Sequence, residues 1–367
     1  MEIKKLLNIT KEKNASDLHL NIGIPPVLRI NGKLTKLNLP ELTPEITHEM
    51  IFSILNEKQK SDFEKYGELD LSYELANIAR FRINVFKHRR GEGAAFRLIP
   101  EKIKTLSELG LPSILSDFTE KDRGLVLVTG PTGSGKSTTI AALIDIINKK
   151  KYVNIITIED PIEFIHSHIN CLVSQREIGS HTQSFASALR NALREDPDVI
   201  LVGEMRDLET ISMALTAAET GHLVFSTLHT ISAAETVDRI IDVFPPHQQN
   251  QVRMQLAGSL QGIIAQTLLP TLDDAGRVAA LEIMIANSAI RNLIREGKAH
   301  QIPSTIQISK KDGMQSLDQS LKDLLMEGKI SQEDALKKAV DKKTFMGTDI
   351  AIKIINKGEK NIVYIGS

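Results

Sequence analysis

The stretch from Gly130 to Thr138 reads GPTGSGKST and constrains the fold more than any other part of the chain. It fits the pattern Gly-x-x-x-x-Gly-Lys-Ser/Thr, which requires a strand before it and a helix after it. The run LVLVTG before the stretch is typical of a buried strand, and TTIAALIDII after it is typical of a helix. Glycines at such a junction let successive backbone N–H groups converge on an anion. The sequence therefore predicts an α/β fold with a phosphate-binding loop, and a glycine-rich turn without a ligand is the alternative.

The loop assigns roles to its residues. We expect Lys136 to reach the β- and γ-phosphates of a nucleoside triphosphate and the Ser137 hydroxyl to ligate Mg²⁺. The predicted cofactors are therefore ATP and Mg²⁺. The predicted nucleotide-binding residues are Gly130, Pro131, Thr132, Gly133, Ser134, Gly135, Lys136, Ser137 and Thr138.

Composition narrows the class of protein. A chain of 367 residues is too long for one ordinary core, so two domains are expected. With 45 basic and 46 acidic residues, the net charge of −1 gives no general reason to bind nucleic acid. The single cysteine, Cys171, excludes an internal disulfide and a four-cysteine zinc site. No apolar run reaches the length of a membrane span, which predicts a cytoplasmic protein.

The texture of the sequence changes along the chain. Residues 1–100 predict a small α+β domain on an antiparallel sheet, with a hairpin turn at Asn31-Gly32. Residues 101–123 resemble a linker. Residues 124–345 alternate apolar strands with helices, which predicts a mainly parallel sheet with helices on both faces. After about residue 235 the pattern predicts mostly helix, including a buried helix over Met254 to Leu272, and residues 346–367 form a tail without a clear pattern.

Hydrolysis requires an acidic residue at the end of a neighbouring strand. In DVILVGEMRD, Glu204 follows an apolar strand and is a candidate to orient and deprotonate water. In TIEDPIEF, the residues Glu159, Asp160 and Glu163 follow a second strand, and their carboxylates repel one another unless a cation neutralises them. Glu163 is a second candidate base. A solvated acidic loop remains the alternative for this group.

Two histidines flank the strand in TGHLVFSTLHT. Their spacing of seven residues puts His222 and His229 on opposite faces of an ideal strand, so we expect separate roles. His229, beyond the carboxyl end, is a candidate sensor of the γ-phosphate, and His222 is expected to bond a carboxylate or the backbone.

Arginines concentrate before the loop, in a chain that is neutral as a whole. In RFRINVF the period of two puts Arg80 and Arg82 opposite Phe81 and Ile83. Arg82 and Arg97 are candidate arginine fingers that stabilise phosphoryl charge in a neighbouring subunit. Surface arginines on half-buried strands are the alternative.

Taken in order, GPTGSGKST, TIEDPIEF, DPDVILVGEMRD and TGHLVFSTLHT resemble the Walker A, Asp, Walker B and His boxes of the secretion ATPase superfamily. The resemblance is strongest to its PilT-type pilus retraction ATPases and extends from Ala15 to about Ala339. The stretch AIRNLIREGKAHQI, Ala289 to Ile302, is similar to a segment that these ATPases need for retraction rather than for hydrolysis. We expect Arg291 and Arg295 to act there in coupling.

The resemblance implies an ATP-driven motor that retracts type IV pili in twitching motility. It implies a hexameric ring of subunits, each with a PAS-like domain and a RecA-like ATPase domain. It also implies a cytoplasmic position at the inner-membrane face of the pilus machine, with an inner-membrane platform protein as partner and a paralogous retraction ATPase as a further one.

Other functions stay open at this point. An accessory retraction ATPase of the PilU type is the first alternative. A pilus assembly or type II secretion ATPase is disfavoured by the single cysteine, since assembly motors usually carry a four-cysteine zinc site. A regulatory nucleotide-binding protein is disfavoured by Glu204. A nucleic-acid translocase is disfavoured by an aromatic content of only 4% and the absence of Trp.

Overall fold

A computed structural model of the chain describes residues 2–30, 32–75, 78–99, 102–273, 276–345, 350–356 and 359–365. The chain divides into two compact units, Met1–Lys102 and Ile103–Ser367. In the described ranges no helix is long and apolar enough to cross a membrane.

The first unit is built on an antiparallel sheet of six strands in the order β3-β2-β1-β6-β5-β4. Its elements are α1 (Ile3–Glu12), β1 (Asp17–Leu20), β2 (Val27–Ile30), β3 (Lys33–Lys36), α2 (Pro44–Phe52), α3 (Glu57–Tyr66), β4 (Glu68–Leu75), β5 (Ala79–His88) and β6 (Gly91–Ile99).

Alternation along β5 gives this sheet its buried face. Phe81, Ile83 and Val85 are fully buried in the core of the unit, whereas Arg80 and Arg82 point to the other face. Gly32 lies in the connection from β2 to β3 with φ +81°, which suits a tight turn. The other residue of the predicted turn, Asn31, lies outside the described residues.

The second unit contains a seven-stranded sheet in the order β13-β12-β7-β11-β10-β8-β9. Its first elements are a 3-10 helix (Ser113–Phe118), β7 (Gly124–Thr129), α4 (Lys136–Lys150), β8 (Asn154–Glu159), β9 (Leu172–Glu177), α5 (Phe185–Ala192), β10 (Val199–Val202), α6 (Leu208–Glu219), β11 (Leu223–Leu228) and α7 (Ala233–Asp242). The remaining elements are α8 (Pro246–Ser259), β12 (Leu260–Pro270), β13 (Arg277–Ile285), α9 (Ser288–Arg295), α10 (Ile302–Ile308), α11 (Leu317–Met326), α12 (Gln332–Lys338), β14 (Ile350–Asn356) and β15 (Glu359–Ile365), with 3-10 turns at Ala299–Gln301, Lys310–Asp312 and Lys342–Phe345.

Neighbouring strands of this sheet run parallel except for the antiparallel pair β12 and β13. Both faces are covered, because successive residues of β7 enter different cores. Leu125 and Leu127 pack in the core that includes α5 to α10, and Val126 and Val128 pack in the core that includes α4. The predicted α/β class with a mainly parallel sheet is confirmed.

The structure corrects one helix prediction. Of the apolar run from Met254 to Leu272, only the part up to Ser259 is helical, and Leu260–Pro270 is β12, an interior strand between β7 and β13. The region after residue 235 therefore contains two long strands that the mostly helical prediction missed. A continuous apolar run fits a buried helix and a buried strand equally well, and here pairing to β7 decides the outcome.

Part of the predicted linker is packed. Leu106, Leu111, Leu115 and Phe118 are buried in the same core as α4. A Cβ on Gly262 would lie 2.3 Å from the ring of Phe118, so this segment closes tightly over β12. Residues 103–123 therefore belong to the second unit.

The last strand of the sheet, β9, presents its outer edge to side chains. The backbone N–H of Val173 donates to Nδ1 of His168, and that of Glu177 donates to Nδ1 of His181, each at 3.0 Å. On an edge strand, the N–H groups that point away from the sheet have no partner strand. Here two of them, those of Val173 and Glu177, bond histidine side chains instead.

Two short strands, β14 and β15, form a hairpin in the predicted tail. Residues 346–349, 357, 358, 366 and 367 of that tail lie outside the described residues.

Candidate active site

The phosphate loop connects the carboxyl end of β7 to α4. Gly130, Gly133 and Gly135 have φ angles of +140°, +78° and +89°. At Gly130 a Cβ would lie 2.2 Å from the backbone oxygen of Gln266, so no larger residue fits there. Around the Cβ position of Gly133 there is nothing within 4 Å, so the turn of the loop is open on that side.

Lys136 starts α4 and extends back over the loop. Its Nζ donates to the carbonyl oxygens of Gly130 at 2.8 Å and Pro131 at 3.1 Å. Burial lowers the pKa of this ammonium group, and the carboxylates of Glu204 and Glu163 oppose that shift. Both carboxylates that the sequence assigned to catalysis therefore act electrostatically on Lys136.

Gln266 on β12 braces the loop, and sequence reasoning missed it. Its Nε2 donates to the carbonyl of Ser134 at 2.6 Å, and its Oε1 accepts from Thr139 Oγ1 at 2.8 Å, with all three groups buried. Its backbone oxygen packs against Gly130. No local signal marks this residue, because it lies 132 positions after Ser134 in a run predicted to be helical.

Glu204 follows β10 at the same edge of the sheet. Its Oε2 lies 2.7 Å from Nε of Arg206 and 3.4 Å from Nε2 of His229, which follows β11. Glu204 and His229 meet because β10 and β11 are parallel neighbours, so their carboxyl ends adjoin. Arg206 was not predicted, although it stands two residues after the acid. The site thus holds a carboxylate between a guanidinium and an imidazole.

The carboxylates at and after the end of β8 lie in different environments. Glu159 is partly buried and accepts from Thr157 Oγ1 at 2.6 Å and Gln175 Nε2 at 3.2 Å, and burial raises its pKa. Asp160 and Glu163 are exposed. The carboxylate of Glu163 acts electrostatically on Lys136.

His222 lies at the amino end of β11, away from His229 at the carboxyl end. Six residues at about 3.3 Å each place the two ends roughly 20 Å apart. The Nδ1 atom of His222 lies 2.9 Å from the carbonyl oxygen of Ala217, a backbone partner of the kind that was predicted.

Arg82 and Arg97 belong to the first unit. They stand directly opposite each other on β5 and β6. Arg97 donates from Nε to Oδ1 of Asp17 at 3.0 Å, yet 71% of its side chain is exposed. The two arginines therefore lie on one pair of strands, and Asp17 holds the side chain of Arg97.

The oxygen ligands available near the loop suit Mg²⁺. Ser137 and Glu159 line one small cavity with Thr227. No group of three or more His, Cys, Asp or Glu side chains in the described ranges is arranged to hold a metal by itself. Mg²⁺ usually binds through one or two protein oxygens together with phosphate oxygens and water, so the residues present fit an ion that binds with a nucleotide.

A second cavity of about 330 Å³ lies beside the loop. Leu109, Leu111 and Leu268 give it apolar walls, and Thr138 and Arg277 also line it. A flat apolar group joined to a phosphate in the loop would fit such a space.

The segment from Ala289 to Ile302 contains α9. Arg291 donates from Nη1 to the carbonyls of Ala257 at 2.5 Å and Gly258 at 2.8 Å, at the end of α8. Arg295 is exposed, and its Nη2 donates to Oδ1 of its helix neighbour Asn292 at 3.3 Å. The two arginines, predicted to share a role, have different surroundings.

Comparison with known proteins gives consistent matches. The family model of the type II/IV secretion system protein matches residues 2–319. The chain is 55% identical to the type IV pilus retraction ATPase PilT of Pseudomonas aeruginosa, over 92% of this chain and 98% of that protein. It is 54% identical to a twitching motility protein of Neisseria gonorrhoeae, over 86% of this chain and 84% of that protein. It is 43% identical to the type IV pilus ATPase PilU of P. aeruginosa, over 92% of this chain and 88% of that protein.

A solved structure of the pilus retraction motor PilT with bound ADP superposes with a TM-score of 0.88 and 50% identity. It covers 94% of this chain and 98% of that one.

Proposed function

This chain belongs to the type II/IV secretion system protein family and is an ATPase of its pilus retraction type, and we propose that it couples ATP hydrolysis to retraction of type IV pili in twitching motility. The observation that carries the proposal is that Glu204, which acts electrostatically on Lys136 of the loop, lies beside His229 at the carboxyl ends of neighbouring parallel strands. A binding loop alone would hold a nucleotide, whereas a carboxylate beside it supplies the means to hydrolyse one.

In the mechanism that we propose, the phosphate loop first binds the phosphates of ATP. Backbone N–H groups of the loop and the Lys136 ammonium group stabilise the negative charge that spreads over the transferred phosphoryl group. Glu204 orients the attacking water and takes its proton, and His229 beside it is placed to respond to the γ-phosphate. Glu163 is the second candidate base, since it also acts on Lys136.

Ser137, with Glu159 nearby, would hold Mg²⁺, which when bound with ATP offsets the charge of the β- and γ-phosphates. The cavity lined by Leu109, Leu111 and Leu268 would receive the adenine base.

The assembly that we propose is a ring of six copies at the cytoplasmic face of the inner membrane. Residues 1–100 would form the PAS-like domain and residues 124–345 the RecA-like domain. Arg82 and Arg97 would act on the nucleotide of a neighbouring subunit, which their position outside the ATPase unit favours. An inner-membrane platform protein and a paralogous retraction ATPase would be the partners, and nucleic acid would not be bound.

The alternative is an accessory ATPase of the PilU type, which would act only beside a principal motor. Identity of 55% to PilT against 43% to PilU, both of P. aeruginosa, favours the principal motor.

The test combines purified protein with a motility strain. The purified chain should release phosphate from ATP, and Glu204→Gln should bind ATP while turnover falls by about 100-fold or more. Glu209→Gln, on the exposed side of α6, is the matched control. In a strain without other retraction ATPases, the wild-type chain should restore twitching. Hydrolysis without twitching in that strain would favour the accessory role, and turnover that survives in Glu204→Gln would contradict the assignment of the base.

A further inference from the structure

One continuous stretch of chain, α8 followed by β12, contacts both the phosphate loop and the segment from Ala289 to Ile302. Gln266 holds the loop from near the carboxyl end of β12. At the other end of the same strand, Leu260 follows Ser259, the last residue of α8, with no residue between them. Because β12 is paired to β7 on one side and to β13 on the other, it cannot slide without breaking two ladders of hydrogen bonds. We treat α8 and β12 as one element.

Arg291 fastens α9 to the end of α8. The carbonyls of Ala257 and Gly258, which accept from its Nη1, belong to the last turn of α8. Carbonyls at that position have no partner within their own helix, and a cation there also meets the negative end of the helix dipole. The attachment therefore satisfies groups that would otherwise be left without a partner.

The chain just after α9 also lies beside α8. Gly297 has φ +68°, and a Cβ there would lie 3.5 Å from Nε of Arg253, a residue of α8. Within α9, Ile290 and Ile294 are fully buried in the same core as Leu256 of α8. The α9 helix therefore packs against α8 in addition to the bonds that Arg291 makes.

At the loop, the amide of Gln266 has little freedom. Rotation of the amide would place its oxygen against the Ser134 carbonyl and break two buried hydrogen bonds at once. For this reason, a displacement of Ser134 in the loop should move β12, because the side chain of Gln266 cannot rotate to accommodate it.

We propose that Gln266 is a positioning residue that transmits the nucleotide state of the phosphate loop to α9, through the element formed by α8 and β12. The proposal rests on the proposed function only in naming ATP and ADP as the two states of the loop. A glutamine that merely fills a buried polar space is the competing explanation, and it predicts no nucleotide-dependent change at α9.

The test uses Gln266→Glu in the full-length protein, because glutamate keeps the shape and the acceptor for Thr139 but puts an oxygen against the Ser134 carbonyl. Gln261→Glu is the matched control: it makes the same change on the same strand, where the amide donates to the carbonyl of Arg123 instead of the loop. Hydrogen–deuterium exchange of residues 288–297 is compared with ADP and with a non-hydrolysable ATP analogue plus Mg²⁺. Each nucleotide is used at a concentration that saturates the variant being measured.

We expect the exchange of this segment to differ between the two nucleotides in the wild type and in Gln261→Glu. In Gln266→Glu the difference should shrink at least about threefold, and kcat should fall more than KM changes. Arg291→Ala should also lose the difference, while its kcat stays within about twofold of wild type, because it removes the donor to Ala257 and Gly258 far from the loop.

An unchanged difference in Gln266→Glu, or no difference in the wild type, would overturn the proposal. If the Glu variant does not fold, Gln266→Met gives the same comparison without a buried charge and must lose the difference as well. The measurement needs no pilus, so a chain that shows the difference but cannot restore twitching would contradict the proposed function and leave this inference standing.

Discussion

Nε2 of His229 lies 3.4 Å from Oε2 of Glu204, across the ends of two parallel strands. The imidazole is close enough to fix the carboxylate, and it lies beyond the strand end, where a γ-phosphate held by the loop would be sensed. In the function that we propose, both catalysis and γ-phosphate sensing depend on the geometry of this pair.

His229→Asn should lower kcat about 10- to 100-fold with little change in ATP affinity, because the base loses the partner that orients it. Steady-state phosphate release and equilibrium nucleotide binding measure the two effects. His222→Asn is the control on the same strand, since His222 bonds the carbonyl of Ala217 at the far end. Equal losses in both variants would show that these histidines act through stability alone.

Lys136→Ala should reduce turnover by roughly 100-fold or more, because one preorganised cationic donor to the phosphoryl group is lost. Lys150→Ala, in the last turn of the same helix, removes an exposed cation that pairs with Glu120 and should leave turnover within about twofold of wild type. Phosphate release at saturating ATP distinguishes the two. Substantial turnover in Lys136→Ala would remove this lysine from the site.

Arg291 and Arg295, both in the segment from Ala289 to Ile302, should have different effects when they are replaced. Arg295→Ala removes an exposed side chain, so melting temperature and ATPase rate should hardly change while twitching is lost. Arg291→Ala leaves the carbonyls of Ala257 and Gly258 without their donor and should lower stability by roughly 2 kcal/mol. Thermal melts, phosphate release and a twitching assay on both variants check this. A large loss of stability in Arg295→Ala would contradict the distinction.

Stability at acidic pH should depend on His166. Burial lowers the pKa of this imidazole to about 4, against an opposing effect of Asp145, from an ordinary value of 6.5. Below about pH 6.5 the unfolded chain takes up a proton that the folded chain does not, so the free energy of unfolding falls as the pH falls. Each pH unit costs about 1.4 kcal/mol from this group until the folded pKa is reached, in all roughly 3 kcal/mol.

Urea unfolding of the wild type and of His166→Gln, measured from pH 7 to pH 4, isolates this contribution. The variant should lose less stability over that range. Parallel curves for the two proteins would mean that His166 is not kept neutral by burial.

The motifs could be found from the sequence because each is local. Motif spacing and the apolar strands on either side identify the phosphate loop, Gly130 to Thr138, and the acidic residue Glu204. The alternation of polar and apolar residues around Arg82 indicates which face of its strand is buried. The α/β class followed from the same strands. These features depend on neighbours in the chain, so single-sequence reasoning reaches them.

The bracing of the site could not be found in that way. Gln266 acts on a loop that only folding brings to it, and its own strand was predicted to be a helix because an apolar run has no distinguishing period. Likewise, Leu115 and Phe118 lie in a segment that was predicted to be a linker, and only the folded core shows that they are packed. The different surroundings of Arg291 and Arg295 also depend on where α8 ends in space.

The histidine bonds on the outer edge of β9 bear on how copies of this chain behave at high concentration. An open sheet edge is a template on which a strand of another molecule can be added, and such growth has no natural stop. With the N–H groups of Val173 and Glu177 already bonded to His168 and His181, an incoming strand would first have to displace two imidazoles. His168 and His181 therefore protect this sheet edge against aggregation, and neither histidine belongs to the site that we propose for ATP hydrolysis.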